Sequence, residues 1–127
     1  MAAVSAGLVA VGAPAQASSG GGCRNTGVVG SCISYSGGSV RSDFYLNASP
    51  DSSRCKYKIE IKKPGVSTPI KSTGILTLDH GTGRYGPISQ YVLSNPPKSG
   101  SAYTLVSIYT CSNVLHFTAQ SPTVYYP

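Results

Sequence analysis

This chain of 127 residues carries a formal net charge of +6, with ten Lys and Arg, four Asp and Glu, two His and no Trp. The length suits one domain with a modest core, and so few acids and His leave little material for acid–base catalysis or a metal site. The four Cys include no pair at CxxC spacing. They therefore disfavour a zinc site or a redox motif and favour two disulfides in an oxidising compartment.

The first seventeen residues, MAAVSAGLVAVGAPAQA, predict an export signal. They hold seven of the ten Ala and no charge, and they end in Ala15-Gln16-Ala17, the small-x-small pattern that signal peptidase cuts after. A transmembrane helix needs roughly 20 apolar residues, and this run is shorter. We expect removal of residues 1–17, no membrane insertion and a secreted, extracellular protein. The usual cationic start is missing, so we interpret the sequence as beginning inside the signal or at a misassigned start codon.

The next segment, SSGGGCRNTG at residues 18–27, offers almost nothing to bury. We expect a flexible N-terminal tail here, anchored by Cys23. The remaining residues, 28–127, are then expected to form a single domain.

The sequence of this domain predicts about seven or eight strands. The candidate segments, in chain order, are VVGSCISY, VRSDFYLN, CKYKIEIK, IKSTGILTL, ISQYVLS, YTLVSIYTC, VLHFT and TVYY. Several of them alternate apolar and polar residues, and turn sequences rich in Gly, Pro, Asn and Ser separate them. No apolar period of 3.6 residues continues over ten residues. The pattern therefore predicts an all-β, antiparallel β-sandwich, with a small β-barrel as the alternative.

The cysteines and two tyrosines refine this expectation. Four Cys allow three pairings; we favour Cys23–Cys32, a local clip, and Cys55–Cys111, which joins two strongly patterned strands. Tyr109, two residues before Cys111, resembles the tyrosine arrangement of immunoglobulin-like sandwiches, as does a Tyr at position 103 just after a polar turn. The Trp of that pattern is absent from the chain. An immunoglobulin-like sandwich is what this resemblance implies.

The stretch RCKYKIEIKKPG, residues 54–65, holds five of the ten Lys and Arg against one Glu. In a strand its alternate residues share one face. Glu60 interrupts the lysines, and Tyr57 points to the other side, so no aromatic residue is expected on the lysine face and nucleic acid is not an expected partner. We favour a solvated face whose lysines keep the strand soluble and, if it is an edge strand, discourage sheet-to-sheet pairing; contact with an acidic protein or an anionic cell-surface polymer is the alternative. The candidate binding residues here are Lys56, Lys58, Lys62 and Lys63.

No motif in the chain predicts catalysis. GTGRYG at residues 81–86 fits GxGxxG, but Pro87 and a predicted strand follow it instead of the helix that a dinucleotide site requires. Asp79 and His80 are adjacent on the same turn, where we expect their side chains to point in different directions. We therefore expect no catalytic residue, no metal and no cofactor.

These observations predict a non-enzymatic secreted protein-binding module, in its most concrete form an adaptor or accessory subunit that links components of an extracellular assembly, such as a toxin particle. We expect the sheet to bind one partner. The C-terminal SPTVYYP, with Tyr125 and Tyr126, is either the last strand of the protein's own sheet or a peptide that pairs with a partner. One alternative is an inhibitor of a secreted hydrolase, inserting the loop LDHGTGRYGP with Arg84. Another is a binder of anionic cell-wall polymer.

Overall fold

The structure is a computed structural model that describes residues 18–96 and 98–127. The predicted export signal lies outside these residues. The described residues contain strands and no helix, and so no helix among them is long and apolar enough to cross a membrane.

Eleven strands form in the described residues. In chain order they are β1 (Ser19–Gly20), β2 (Gly22–Asn25), β3 (Val29–Ser36), β4 (Ser39–Leu46), β5 (Lys56–Lys62), β6 (Lys71–Ser72), β7 (Leu76–Thr77), β8 (Gly83–Tyr91), β9 (Gly100–Tyr109), β10 (Leu115–Gln120) and β11 (Val124–Tyr126). The all-β prediction is confirmed. The predicted number of strands is too low for two reasons: β1 and β2 lie in the segment predicted as a tail, and the predicted strand IKSTGILTL divides into the two short strands β6 and β7.

The strands lie in two sheets, and every pair is antiparallel. The first sheet has the order β1-β11-β9-β5-β6, with β10 also paired to β9 and β7 also paired to β5. The second has the order β2-β3-β4-β8. The long strand β9 organises the first sheet, because β5 follows one of its edges while β10 and β11 share the other.

The predicted N-terminal tail is paired instead of free. β1 pairs with β11, and β2 pairs with β3, which places Cys23 directly opposite Cys32. Gly20 explains why the sequence pattern did not predict the pairing of β1. It has a φ of +73°, and a Cβ at this position would lie 2.5 Å from the carbonyl oxygen of Thr123. Glycine therefore permits the close approach, and glycine gives no apolar alternation that would predict a strand.

The two sheets pack face to face around a shared core that contains two apolar clusters. Phe44 of β4 packs with Ile59 of β5 in the first cluster, and Val40 of β4 packs with Ile61 of β5 in the second. Other members of the first cluster are Val29, Leu46, Tyr57, Leu78, Tyr85, Val106, Ile108 and Ala119. Other members of the second are Ile33, Ala102, Val124 and Tyr126.

A buried polar layer separates the two clusters. Ser31, Ser42 and Thr104 each lie on their strand between a residue of one cluster and a residue of the other. The Thr104 hydroxyl donates to the carbonyl oxygen of Cys32 at 2.7 Å and lies 2.5 Å from the Ser42 hydroxyl. The Ser31 hydroxyl donates to the carbonyl oxygen of Thr104 at 3.4 Å. This layer links β9 of the first sheet to β3 and β4 of the second.

We expect Thr104→Val to lower the free energy of unfolding by about 1–3 kcal/mol, because the substitution leaves the Cys32 carbonyl and the Ser42 hydroxyl buried without this partner. Urea unfolding of the oxidised protein measures the change. Thr118→Val, the same substitution at an exposed position of β10, is the control and should change stability by less than about 0.5 kcal/mol. Equal stability of the two variants would contradict this role of the layer.

The predicted disulfides, Cys23–Cys32 and Cys55–Cys111, are confirmed, and no cysteine among the described residues is free. Cys55 comes directly before β5, and its amide donates to the carbonyl oxygen of Tyr109 in β9 at 2.9 Å. The bridge therefore joins neighbouring strands of one sheet. It differs from the immunoglobulin pattern, in which the disulfide crosses from one sheet to the other. The separation into two sheets likewise differs from the closed sheet of a barrel.

Candidate functional site

The basic strand β5 presents its lysines on the outer face of the first sheet. Tyr57, Ile59 and Ile61 are buried on the inner face, as the alternation predicted. β5 is not an edge strand, however, since it pairs with β9 along one side and with β6 and β7 along the other. The interpretation of its lysines as protection of a free edge is therefore wrong, whereas the position of the lysines on the outer face, half-buried, agrees with the other predicted role, a polar face toward solvent.

Aromatic side chains from neighbouring strands lie among these lysines. Tyr109 of β9, which is buried and only 9% exposed, is directly opposite Lys56, and the half-buried Tyr103 is directly opposite Lys62. Directly opposed residues of an antiparallel pair share one face. The expectation that this face has no aromatic residue is therefore wrong. β5 itself contributes no aromatic side chain to the face, but its neighbour β9 contributes two tyrosines.

Tyr125 extends the same face onto β11. It pairs with Ser101, which lies on the outer side of β9 together with Tyr103, two residues further along. Its side chain is 56% exposed. We call this surface the lysine–tyrosine face and define it by Lys56, Lys58, Lys62, Tyr103, Tyr109 and Tyr125.

Lys58 lies near the middle of the lysine–tyrosine face, between Tyr109 and Glu60. Its Nζ is 5.9 Å from the centroid of the Tyr109 ring and 3.7 Å from Oε2 of Glu60. Partial burial lowers the pKa of Lys58, but attraction to Tyr109 and to the Glu60 carboxylate outweighs burial and raises its pKa above the ordinary value. Lys58 therefore stays charged, and its charge is partly balanced by Glu60.

The other cations of this face have no such carboxylate. All four acidic residues of the chain lie in the described part, and each contacts another group: Asp43 pairs with Arg84, Asp51 with Arg54 and Glu60 with Lys58, while Asp79 lies 3.3 Å from the His80 imidazole. Lys56 donates a 2.9 Å hydrogen bond to the neutral Asn113 side chain. Among the described residues no salt bridge involves Lys56 or Lys62, so their positive charge is available to an external anion.

Lys63 and Tyr126, predicted as candidates in two separate segments, come together at the end of β5. The Lys63 Nζ donates to the Tyr126 hydroxyl at 2.9 Å and lies 5.4 Å from the centroid of that ring. Tyr126 is buried and stacks on Tyr35. This pair therefore lies just beyond the end of β5, beside the second core cluster, and is not part of the lysine–tyrosine face.

The C-terminal segment SPTVYYP is the last strand of the protein's own sheet. Its β11 pairs with β1 on one side and with β9 on the other. Its backbone is therefore already hydrogen-bonded and is not a free peptide, and Tyr125 is the exposed side chain of this strand.

Arg84, the residue of the predicted inhibitory loop, lies in β8 instead of at a loop tip. It pairs with Tyr45 across the sheet, and its Nε donates to Oδ2 of Asp43. The guanidinium is half exposed and is held by this ion pair. Because a strand and an internal carboxylate fix Arg84, the geometry gives no support to an Arg that inserts into an enzyme cleft.

Asp79 and His80 meet, contrary to the expectation that they point apart. His80 Nδ1 lies 3.3 Å from Oδ1 of Asp79, and its Nε2 lies 2.8 Å from the carbonyl oxygen of Arg84. The imidazole also stacks on the Tyr85 ring with 3.8 Å between centroids. These contacts fix the turn that precedes β8. In the described part of the chain, no group of three or more His, Cys, Asp or Glu side chains is placed to hold a metal ion.

Comparisons with known proteins add no assignment to this geometry. No protein-family model matches the chain, and neither the curated proteins nor the solved structures contain a match. We therefore derive a function from the residues of the lysine–tyrosine face.

Proposed function

We propose that the protein is a non-enzymatic, secreted binding module whose lysine–tyrosine face docks an acidic partner protein. The observation that carries this proposal is the placement of charge. Every carboxylate side chain of the chain contacts Lys58, Arg54, Arg84 or His80, while Lys56 and Lys62 have no carboxylate partner beside the tyrosines of β9. An acidic surface would supply the missing charges, speed association and make it sensitive to salt.

The apolar content of the face favours a protein over a simple polyanion. Tyrosine is enriched at protein interfaces because its ring buries apolar area while its hydroxyl keeps a hydrogen bond. Leu115, directly opposite Tyr109, is 54% exposed and extends the apolar surface onto β10. Glu60 lies between Lys58 and Lys62, where a polyanion-binding strip would gain nothing from a carboxylate.

The dimensions of the face also suit a protein partner. From Lys56 to Lys62 the strand extends about 20 Å, at about 3.3 Å per residue, and β9 and β11 widen it. A standard interface buries about 800 Å² on each partner. The Cys55–Cys111 disulfide, which joins the start of β5 to the end of β9, keeps this surface ordered before binding, as expected for an accessory subunit of an extracellular assembly.

The experiment has two stages. The oxidised mature protein is immobilised, exposed to the culture fluid of the producing organism, and the retained protein is identified and produced in pure form. The pure partner is then titrated against wild type, Lys62→Glu and Arg41→Glu. Arg41→Glu is the matched control because it makes the same charge change on the outer side of β4, in the other sheet.

We expect Lys62→Glu to weaken binding about ten-fold, or ~1.4 kcal/mol, and Arg41→Glu to leave it within about two-fold. Added salt should weaken the wild-type complex. A pure partner that binds wild type and Lys62→Glu equally would contradict the proposed face. A second arm tests the polymer alternative: retention of a purified anionic wall polymer, lost in Lys62→Glu and without any protein partner, would replace the acidic protein with the polymer.

A further inference from the structure

A cleft separate from the lysine–tyrosine face opens at the end of the molecule where β5, β8 and β11 end. Its volume is about 490 Å³. Small-molecule sites in proteins typically measure about 300–1,000 Å³. The residues that define its chemistry are Lys63, Ile70, Tyr91, Val92, Lys98 and Tyr126. The cleft is therefore large enough for a small organic ligand and too small for a folded partner.

The charged groups that line the cleft are all positive. Lys63 and Lys98 contribute ammonium groups, and no Asp or Glu is among the lining residues. None of the four Asp and Glu side chains lines the cleft, and each contacts Lys58 or a group outside the cleft: Arg54, His80 or Arg84. An anionic group on a ligand would balance this charge.

Lys63 and Tyr126 form a pair of hydrogen-bond donors in the cleft. An ammonium group can only donate, so at 2.9 Å the Tyr126 oxygen accepts from Lys63 Nζ and keeps its own hydrogen for another acceptor. Two further N–H groups of Lys63 remain. Two adjacent donors of this kind match the two oxygens of a carboxylate, and hydrogen bonds to a charged group are stronger than neutral ones.

The position of this donor pair is fixed by packing. The Tyr126 ring stacks on Tyr35 at 5.4 Å between centroids and 10° between planes. Gly100 faces the tip of the ring, where a Cβ would lie 2.5 Å from the hydroxyl oxygen. Glycine at this position therefore makes room for the phenol. A site held in place before the ligand arrives loses less entropy on binding.

The remaining walls combine neutral polar side chains, Gln90, Ser94 and Ser99, with apolar and aromatic ones. Ile70 and Val92 are partly buried and pack against the second core cluster. Tyr91 is 61% exposed and presents an aromatic ring at the side of the cleft. A ligand that fills this space therefore needs an apolar or aromatic body beside its anionic group.

We propose that the cleft binds a small aromatic carboxylate. The carboxylate lies at the Lys63–Tyr126 donor pair, Lys98 adds a second positive charge, and the aromatic body contacts Tyr91, Ile70 and Val92. This proposal does not depend on the acidic partner protein, because it uses different residues and a different class of ligand.

The test compares 2-naphthoate with its neutral amide, 2-naphthamide, which has the same aromatic body. Both are titrated into the oxidised protein and followed by amide chemical-shift changes in two-dimensional NMR spectra. We expect one saturable site, with naphthoate bound about ten-fold more tightly than the amide. The shifts should concentrate at the ends of β5, β8 and β11.

Two variants locate the anion, and one controls for charge. Lys63→Gln should remove most of the preference for naphthoate over the amide, and Tyr126→Phe, which keeps the ring, should weaken naphthoate about three-fold or more while leaving the amide unchanged. Lys71→Gln makes the same charge change outside the cleft and should leave naphthoate within about two-fold. The NMR spectrum of each variant verifies its fold. Equal affinity for acid and amide, equal effects of Lys63→Gln and Lys71→Gln, or no saturable binding would each overturn the proposal.

Discussion

Replacing Cys55 and Cys111 together with Ser is expected to lower the free energy of unfolding by about 4 kcal/mol. The two cysteines are separated by 56 positions in sequence, so their bridge closes a long loop and removes many conformations from the unfolded chain. In the folded protein it ties the start of β5 to the end of β9. Without it, we also expect the Lys56–Tyr109 end of the lysine–tyrosine face to open more readily to hydrogen exchange.

The second disulfide is the internal control for this prediction. Cys23–Cys32 has a sequence separation of only 9, so its removal as a double Ser variant should cost about 3 kcal/mol. Urea unfolding of both variants, under conditions that keep the remaining disulfide oxidised, measures the two losses. A larger loss for the short clip than for the long bridge would show that loop closure does not determine the contribution of these bridges.

Phe44→Ala is expected to lower the free energy of unfolding by about 3–5 kcal/mol. Phe44 is fully buried and stacks on Tyr85 at 5.2 Å between ring centroids, and its ring packs edge-to-face with the Tyr57 ring at 5.3 Å between centroids. Tyr85 in turn donates to the carbonyl oxygen of Gly81 at 2.7 Å and stacks on His80. The cavity left by Phe44→Ala would therefore loosen the first core cluster and the turn before β8.

Its neighbour on the same strand is the matched control. Tyr45 points outward and is 43% exposed, so Tyr45→Ala should change stability by less than about 0.5 kcal/mol. Phe44→Leu, which retains most of the volume, should lose less than Phe44→Ala. Similar losses for Phe44→Ala and Tyr45→Ala would contradict the position of the core between the sheets.

The sequence predicted the features that depend on a single strand. In β5 the alternation assigned Tyr57, Ile59 and Ile61 to the core and the lysines to the outside, and the structure confirms both faces. The pairing of Cys55 with Cys111 could also be predicted from the sequence, because Cys55 precedes one strongly patterned strand and Cys111 follows another. Such patterns are visible because side chains alternate with a fixed period of two along a strand.

Features that depend on register were missed. Whether Tyr103 and Tyr109 lie beside the lysines depends on how β9 aligns with β5, and a shift of one residue would move both tyrosines to the other face. The cleft was missed for a related reason. Lys63, Lys98 and Tyr126 come from three distant segments, and only the packing of the two sheets brings them together.

The central claim is that the lysine–tyrosine face is covered by an acidic partner in the native assembly. Acetylation of lysines in the native secreted material, compared by mass spectrometry with the purified protein alone, tests it directly. Lys71, exposed on β6 outside the face, is the internal reference. We predict that Lys56 and Lys62 are strongly protected in the native material while Lys71 reacts equally in both samples. Equal reactivity of all three lysines in the two samples would contradict the claim.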